Sequence, residues 1–244
     1  MASRQPVHRL AQHVQALVHR AGYDVTRETF KRHFVRALHT HGVTAVIDIG
    51  ANTGQFGRAL RQAGYRGRIV SLEPLGSAFA ALSASAASDP SWTVQRAAVS
   101  AEAGTLQINV AGNSVSSSVL PMLDRHAAAA PGSRYVATED VPATTVDDLV
   151  DEHGLDPART LLKIDVQGYE MSVLAGATKT LDQFVAVRTE MSLAPLYEGQ
   201  ALLPEILAHL NGHGLDLWFL EEGFEEPGTG RLLQLDGMFF RRAL

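Results

Sequence analysis

Apolar and polar positions follow two alternating periods along this chain. From Val43 onward, strand-length apolar runs take turns with stretches of helical spacing. The pattern predicts strands over 43–49, 68–72, 92–95, 161–165, 184–191, 215–220 and 231–240. Helices are predicted over 56–63, 77–88, 170–181 and 202–210, with Ser77 as an N-cap and Pro204 in a first turn. A further short helix starts at the cap Thr145 and stops at Gly154. Residues 105–110 alternate with period two and read as a half-exposed strand at a sheet edge. Residues 111–143 show no strong period and read as a long irregular segment, functional or mobile.

Residues 1–41 precede this alternation as a helical extension, and 42–244 form the α/β domain. Leu10, Val14, Leu17, Val18 and Ala21 recur at helical spacing. A second helix starts near Thr26, with Phe30, Phe34, Val35 and Leu38 on its apolar side. The extension is expected to pack across the site mouth, one helix acting as a lid, or against a second subunit of a homodimer. Six of the ten histidines fall in it, without the spacing of a metal site, and read as a solvated face.

The connection over 221–230 suits an antiparallel hairpin, because a parallel pair needs a longer crossover. Its acidic stretch Glu221-Glu222-Gly223-Phe224-Glu225-Glu226 reads most simply as a solvated loop. The whole is a doubly wound, mostly parallel sheet with one antiparallel strand. Ligands of such sheets bind at the carboxyl ends of the strands, at the switch point. That rule selects Asp48 to Gly54, Glu73, Asp165 and Glu190.

Composition narrows the classes. Apolar residues make 45% and charged residues 19% of the chain, which fits a packed domain rather than a disordered one. The apolar runs are too short to cross a bilayer. No cysteine is present, so thiolate chemistry is excluded. With no export signal, the expected compartment is the cytoplasm. Net charge is −5 and no dense Lys/Arg block occurs, which disfavours nucleic acid as a partner.

The glycine turn decides the cofactor. Asp48-Ile49-Gly50-Ala51-Asn52-Thr53-Gly54 places an acid where a dinucleotide fingerprint needs glycine. A carboxylate there repels a pyrophosphate and suits a cationic ligand. S-adenosylmethionine carries a sulfonium and an ammonium and no phosphate. Glu73 ends the next strand, roughly 20 residues beyond the turn, where an acid accepts ribose hydroxyls.

A second anchor is Lys163-Ile164-Asp165-Val166-Gln167-Gly168-Tyr169-Glu170. Period two puts Lys163 and Asp165 on one side of their strand. Lys163 is expected to pair with Asp165 or Glu190, or to snorkel to the site mouth.

The two anchors together resemble the FkbM-type family of S-adenosylmethionine-dependent methyltransferases. Similarity extends to Asn113-Ser114-Val115-Ser116-Ser117-Ser118, to Thr145-Val146-Asp147-Asp148-Leu149 and to Asp236-Gly237-Met238-Phe239, and covers about residues 43–241. The family commonly has Glu where this chain has Gln167. The resemblance implies the class I methyltransferase fold with strand order 3-2-1-4-5-7-6. It also implies O-methylation, often of sugars or secondary metabolites. The residues expected to hold the cofactor are Asp48, Gly50, Asn52, Thr53, Gly54, Phe56, Glu73, Pro74, Ala98, Ser117 and Asp165.

An alcohol is a poor nucleophile until a base or metal removes its proton. Asp165 and Glu190 end two neighbouring strands and are the candidates for that work, with or without Mg²⁺. The serine-rich 113–118 segment supplies groups for the cofactor or for a polyhydroxylated acceptor. Arg125, His126 and Tyr197 lie where they could reach the acceptor, while His213 suits an exposed turn. The expected acceptor is a small-molecule hydroxyl, on a sugar of a glycolipid or glycosylated secondary metabolite. A non-sugar natural product, or a binding scaffold without transfer activity, is the alternative. The Asn/Asp-Pro-Pro-aromatic run of adenine- or glutamine-modifying enzymes is absent after the fourth strand.

Overall fold

The computed structural model describes residues 30–242. The predicted helix over 10–21 and the start of the second one lie outside the described residues. Helix α1 (Phe30–Thr40) leads into strand β1 (Ala45–Ile49), helix α2 (Gln55–Gln62), β2 (Arg68–Leu72), α3 (Gly76–Ala86) and β3 (Trp92–Gln95). Strands β4 (Ala98–Val99) and β5 (Gly104–Ala111), helix α4 (Asp124–Ala129) and strand β6 (Tyr135–Thr144) follow. The second half runs α5 (Val146–His153), β7 (Thr160–Ile164), α6 (Glu170–Ala175), β8 (Ala186–Ser192), α7 (Leu203–Gly212) and β9 (Leu215–Glu222). The short β10 (Glu225–Glu226) and β11 (Arg231–Leu232) precede the last strand, β12 (Gln234–Arg241).

Seven strands form the main sheet in the order β3-β2-β1-β7-β8-β12-β9. Numbered within that sheet, this is 3-2-1-4-5-7-6, the expected class I methyltransferase order. Strand β12 runs antiparallel to both β8 and β9. Strands β1 and β7 are buried along their whole length, as an apolar run flanked by helices on both faces requires.

Local chemistry sets the element ends. Thr145 accepts the Asp148 N–H and caps α5, which Gly154 closes in the left-handed region at φ 56°. Ser77 is not the cap of α3. That helix begins one residue earlier, and its first free N–H groups are taken by one local and one distant carboxylate: Leu75 by Glu73 at 3.0 Å and Gly76 by Glu139 at 3.1 Å. Helix α6 also ends earlier than its apolar pattern implies. Gly176 N–H closes it back onto Val173, and a separate 3₁₀ turn spans Leu181–Gln183.

Residues 111–143 are not irregular throughout. They contain α4 and most of β6, which pairs antiparallel with β5 and parallel with β4 in a second, three-stranded sheet. Strand β5 is an edge strand, but of this small sheet. Within the described part of the extension, Phe34, Val35 and Leu38 of α1 are buried in one cluster with Val46, Leu60 and Leu161.

Candidate active site

A cavity of about 280 Å³ opens at the carboxyl ends of β1, β2 and β7. One wall comes from the glycine turn, one from the small sheet through Ala98, Val99 and Ile108, and one from the 114–119 loop. Gly50 and Asp165 face each other where β1 and β7 end. Gly50 has φ 72°, and a Cβ there would meet the Asp165 carbonyl oxygen at 1.8 Å, so only glycine permits this approach. Gly54, at φ 85°, instead lets α2 start against Leu82, Ser85 and Trp92, away from the cavity.

A polar row crosses the otherwise apolar sheet beneath the turn. In register it reads Ser71, Asp48, Lys163 and Arg188, on β2, β1, β7 and β8. Asp48 is fully buried and does not line the cavity. It accepts a hydrogen bond from Ser71 Oγ at 2.9 Å and pairs with Lys163 Nζ at 3.0 Å. Lys163 also donates to the carbonyls of Ile49 and Gly50, at 3.2 and 3.1 Å, tying down the start of the turn. Burial works to lower the Lys163 pKa, but the Asp48 and Asp165 carboxylates prevail and the net direction is upward. The expected partner of Lys163 was Asp165 or Glu190. Asp165 lies at 3.6 Å, so Asp48 is the closer one.

This placement corrects the charge argument drawn from the turn. The Asp48 carboxylate is paired with Lys163 inside the sheet and does not open into the cavity. The acids that do line the cavity are Glu73, Asp165 and Asp236. Glu73 is 4% exposed and accepts the N–H groups of Asn52 at 2.9 Å and Leu75 at 3.0 Å. Burial pushes its pKa up to about 7, with those two N–H groups and Lys163 pulling the other way.

Of the expected cofactor residues, Gly50, Asn52, Phe56, Glu73, Pro74, Ala98, Ser117 and Asp165 line the cavity; Asp48, Thr53 and Gly54 do not. Asn52 sits at φ 46° and donates through Nδ2 to Ser114 Oγ, which joins the glycine turn to the serine-rich loop. That loop is largely self-satisfied. Ser117 Oγ donates to the Ser114 carbonyl, and Ser118 Oγ donates to the Gln167 carbonyl at 2.7 Å.

The far end of the cavity carries Asp165, Arg188 and Asp236 beside the Phe56 ring. Arg188 was not anticipated. It pairs with Asp236 at 2.8 Å and Glu221 at 2.6 Å, and its guanidinium lies over Phe56 and Phe34. Glu221 is therefore an ion-pair partner rather than part of a solvated loop. The signal existed in sequence, since period two places Arg188 on the same side of β8 as Glu190.

Glu190 does not reach the cavity. Its Oε2 accepts from the side-chain amides of Gln167 at 2.9 Å and Gln234 at 2.8 Å. Burial, then the neighbouring charges of Asp165, Glu170 and Asp236, hold its pKa well above the usual carboxylate range. The Gln167 nitrogen that donates to Glu190 also donates to Asp165 at 3.1 Å. An N–H thus occupies the space between the two carboxylates. That donor set does not fit the divalent cation expected there, and no group of three or more His, Asp or Glu side chains among the described residues is placed to hold a metal.

The other acceptor candidates divide. Tyr197 is buried and donates to Gln167 Oε1 at 2.8 Å. His126 is buried against Tyr197 and Phe224, with burial lowering its pKa. Arg125 is exposed. His213 pairs with Asp182 at 2.6 Å and does not line the cavity.

The family model of the methyltransferase FkbM domain matches residues 48–224, well over half of the chain. The chain belongs to the FkbM methyltransferase family. Methyl donation by S-adenosylmethionine follows, and the FkbM domain holds both anchors, the glycine turn and the Asp165 loop. Among solved structures, a putative methyltransferase from Thermobifida fusca matches with TM-score 0.50 and 12% identity, over 87% of this chain and 81% of that one. The METTL16 methyltransferase domain matches with TM-score 0.50 and 10% identity, over 86% and 66%. Magnesium protoporphyrin IX methyltransferase from Synechocystis, solved with S-adenosylmethionine bound, has TM-score 0.46 and 12% identity, over 99% and 86%. For the two neighbours with TM-score 0.50 the likeness is one of fold. No curated protein sequence matches the chain significantly. Among the described residues, no helix is long and apolar enough to cross a membrane.

Proposed function

We propose that this FkbM-family methyltransferase methylates a hydroxyl of a small molecule, on a sugar unit of a glycolipid or glycosylated secondary metabolite. The observation that carries this reading is the position of Asp165. Its carboxylate, 39% exposed, ends the central strand β7 and opens into the cavity beside the glycine turn. A hydroxyl needs a positioned proton acceptor, and Asp165 is the acid at that place.

The residues present fit the methyl donor. Glu73, a buried carboxylate at the end of β2, suits the two ribose hydroxyls, and Pro74, Leu75, Ala98 and Val99 suit a flat base. Gly50 and Asn52 provide the close backbone beside them. When bound, S-adenosylmethionine supplies an electrophilic methyl carbon on a sulfonium. Asp165 would take the proton of the acceptor hydroxyl and so make its oxygen the nucleophile toward that carbon. Lys163 places its ammonium 3.6 Å from Asp165. Phe56 offers an apolar face, and Asn52, Gln55, Arg188 and Asp236 offer donors and acceptors, a combination that suits a polyhydroxylated ring.

The test is release of S-adenosylhomocysteine with a panel of neutral glycosides set against phenolic and amine acceptors. Turnover with glycosides, and a methyl ether in the product, supports the reading. Turnover confined to amines or phenols overturns it.

A further inference from the structure

We infer that Gln167 takes the place of a divalent cation between Asp165 and Glu190, and so acts as a positioning residue for a metal-independent site. The inference rests on the reading of Asp165 as the working carboxylate. Gln167 Nε2 donates to Asp165 Oδ1 at 3.1 Å and to Glu190 Oε2 at 2.9 Å. Both of its N–H bonds are therefore directed at carboxylates, which is as many as one amide nitrogen can serve.

The amide cannot turn over freely. Its Oε1 accepts the Tyr197 hydroxyl at 2.8 Å, and the Gln167 backbone carbonyl accepts Ser118 Oγ at 2.7 Å. Tyr197 is itself fully buried, and its hydroxyl also lies 3.2 Å from the Ser116 carbonyl. Three side chains, those of Asp165, Glu190 and Tyr197, thus converge on this one. Gln167 is also held at φ 57°, a left-handed backbone that a non-glycine residue adopts at a cost. Gly168 follows at φ 95°, and a Cβ there would meet the Tyr197 ring at 2.9 Å. The loop is shaped to deliver this side chain between two acids rather than out to solvent.

The chemistry is that of partial charge compensation. Asp165 and Asp236 line one end of the cavity and Glu190 lies behind Asp165, bridged to it by Gln167; acidic oxygens so placed attract a hard cation unless something else fills the gap. A neutral amide fills it without binding a metal, and leaves the second oxygen of Asp165 toward Lys163, at 3.6 Å. Replacing the amide by a third carboxylate turns the same position into an oxygen cage.

The experiment is titration of Mn²⁺, followed by its paramagnetic resonance signal, into the intact protein and into Gln167→Glu and Gln167→Ala. Circular dichroism and a cooperative thermal transition confirm that each variant is folded. The wild-type protein is expected to bind no Mn²⁺ at this site. Gln167→Glu gains one site, roughly tenfold or more tighter than any wild-type binding, because affinity follows the number of charged oxygen ligands. Adding Asp165→Asn to Gln167→Glu abolishes it. Gln167→Ala, which opens the gap without adding a charge, gains a weaker site and decides the matter if Gln167→Glu does not fold. Wild-type Mn²⁺ binding that is lost in Asp165→Asn overturns the inference, as does a folded variant that gains no site. No acceptor enters these measurements, so they succeed or fail separately from the proposed O-methylation.

Discussion

Asp48 and Lys163 face each other across β1 and β7, in register and 3.0 Å apart, in the most buried part of the sheet. The pair holds the strand end from which the glycine turn departs, because the same ammonium donates to the Ile49 and Gly50 carbonyls. Removing one partner leaves a buried charge unmatched. Lys163→Met is expected to destabilise the fold by about 3–5 kcal/mol. The double variant Lys163→Met with Asp48→Leu should recover much of that loss. Urea unfolding of the three proteins checks this; equal stability of Lys163→Met and wild type contradicts it.

Glu73 gives the cofactor site a pH dependence. Burial holds its pKa near 7, so below that pH it is neutral in the empty site. Ribose hydroxyls donate to a carboxylate and favour its charged form. Affinity for S-adenosylmethionine should therefore rise from pH 6 to pH 8, by up to about tenfold per unit on the acid side of the pKa. Calorimetry on wild type and Glu73→Gln reads the effect. The variant should bind weakly and with little slope; an unchanged slope would assign the titration to another group.

Gly50 tolerates no side chain. Gly50→Ala drives a methyl to 1.8 Å from the Asp165 carbonyl at a φ that alanine adopts poorly. The two loops must separate, which moves Asp165 and Asn52 together. A fall of several degrees in Tm is expected, with S-adenosylmethionine binding lost or weakened more than tenfold, about 1.4 kcal/mol or more. Gly64→Ala, where a Cβ meets open space, is the comparison for backbone strain alone.

Helix α1 reaches the acceptor end through Phe34. Its ring packs edge-on to Phe56 at 5.9 Å, and the Arg188 guanidinium lies over both rings. Phe34→Ala should cost about 3–5 kcal/mol as a cavity in the core. Because Phe56 and Arg188 line the cavity, it should also raise KM for the acceptor more than KM for S-adenosylmethionine. Steady-state kinetics at a temperature where the variant is folded separates the two effects.

The sheet was legible because its central strands are continuous apolar runs, and α5 because the Thr145 cap and the Gly154 stop act locally. Strand β6 was not legible. It contains Pro142 and a mostly exposed, acid-containing face, and its partners β5 and β4 form a sheet of their own. Its stability comes from pairing, which a local pattern does not display. The site was legible in kind and less so in direction. Residues at strand ends were found, yet Asp48 points into the sheet because Lys163 stands beside it, a relation between strands far apart in sequence. Glu190 is withheld from the cavity for a similar reason: the amides of Gln167 and Gln234 claim it first. Arg188 is a charge in mid-strand whose burial requires acids close by in the sheet, Asp236 on the adjacent β12 and Glu221 on β9 beyond it.

The central claim is that Asp165 takes a proton from an acceptor hydroxyl while S-adenosylmethionine is held by the glycine turn and Glu73. The most direct measurement is transfer of a ¹³C-labelled methyl group to a glycoside that the wild type accepts, followed by NMR, for wild type and Asp165→Asn at equal occupancy by S-adenosylmethionine. The predicted result is an O-methyl ether from the wild type and a loss of kcat of roughly 10²-fold or more in Asp165→Asn, with donor affinity retained. Wild-type turnover by Asp165→Asn, or a methyl group found on nitrogen or carbon, would contradict the account.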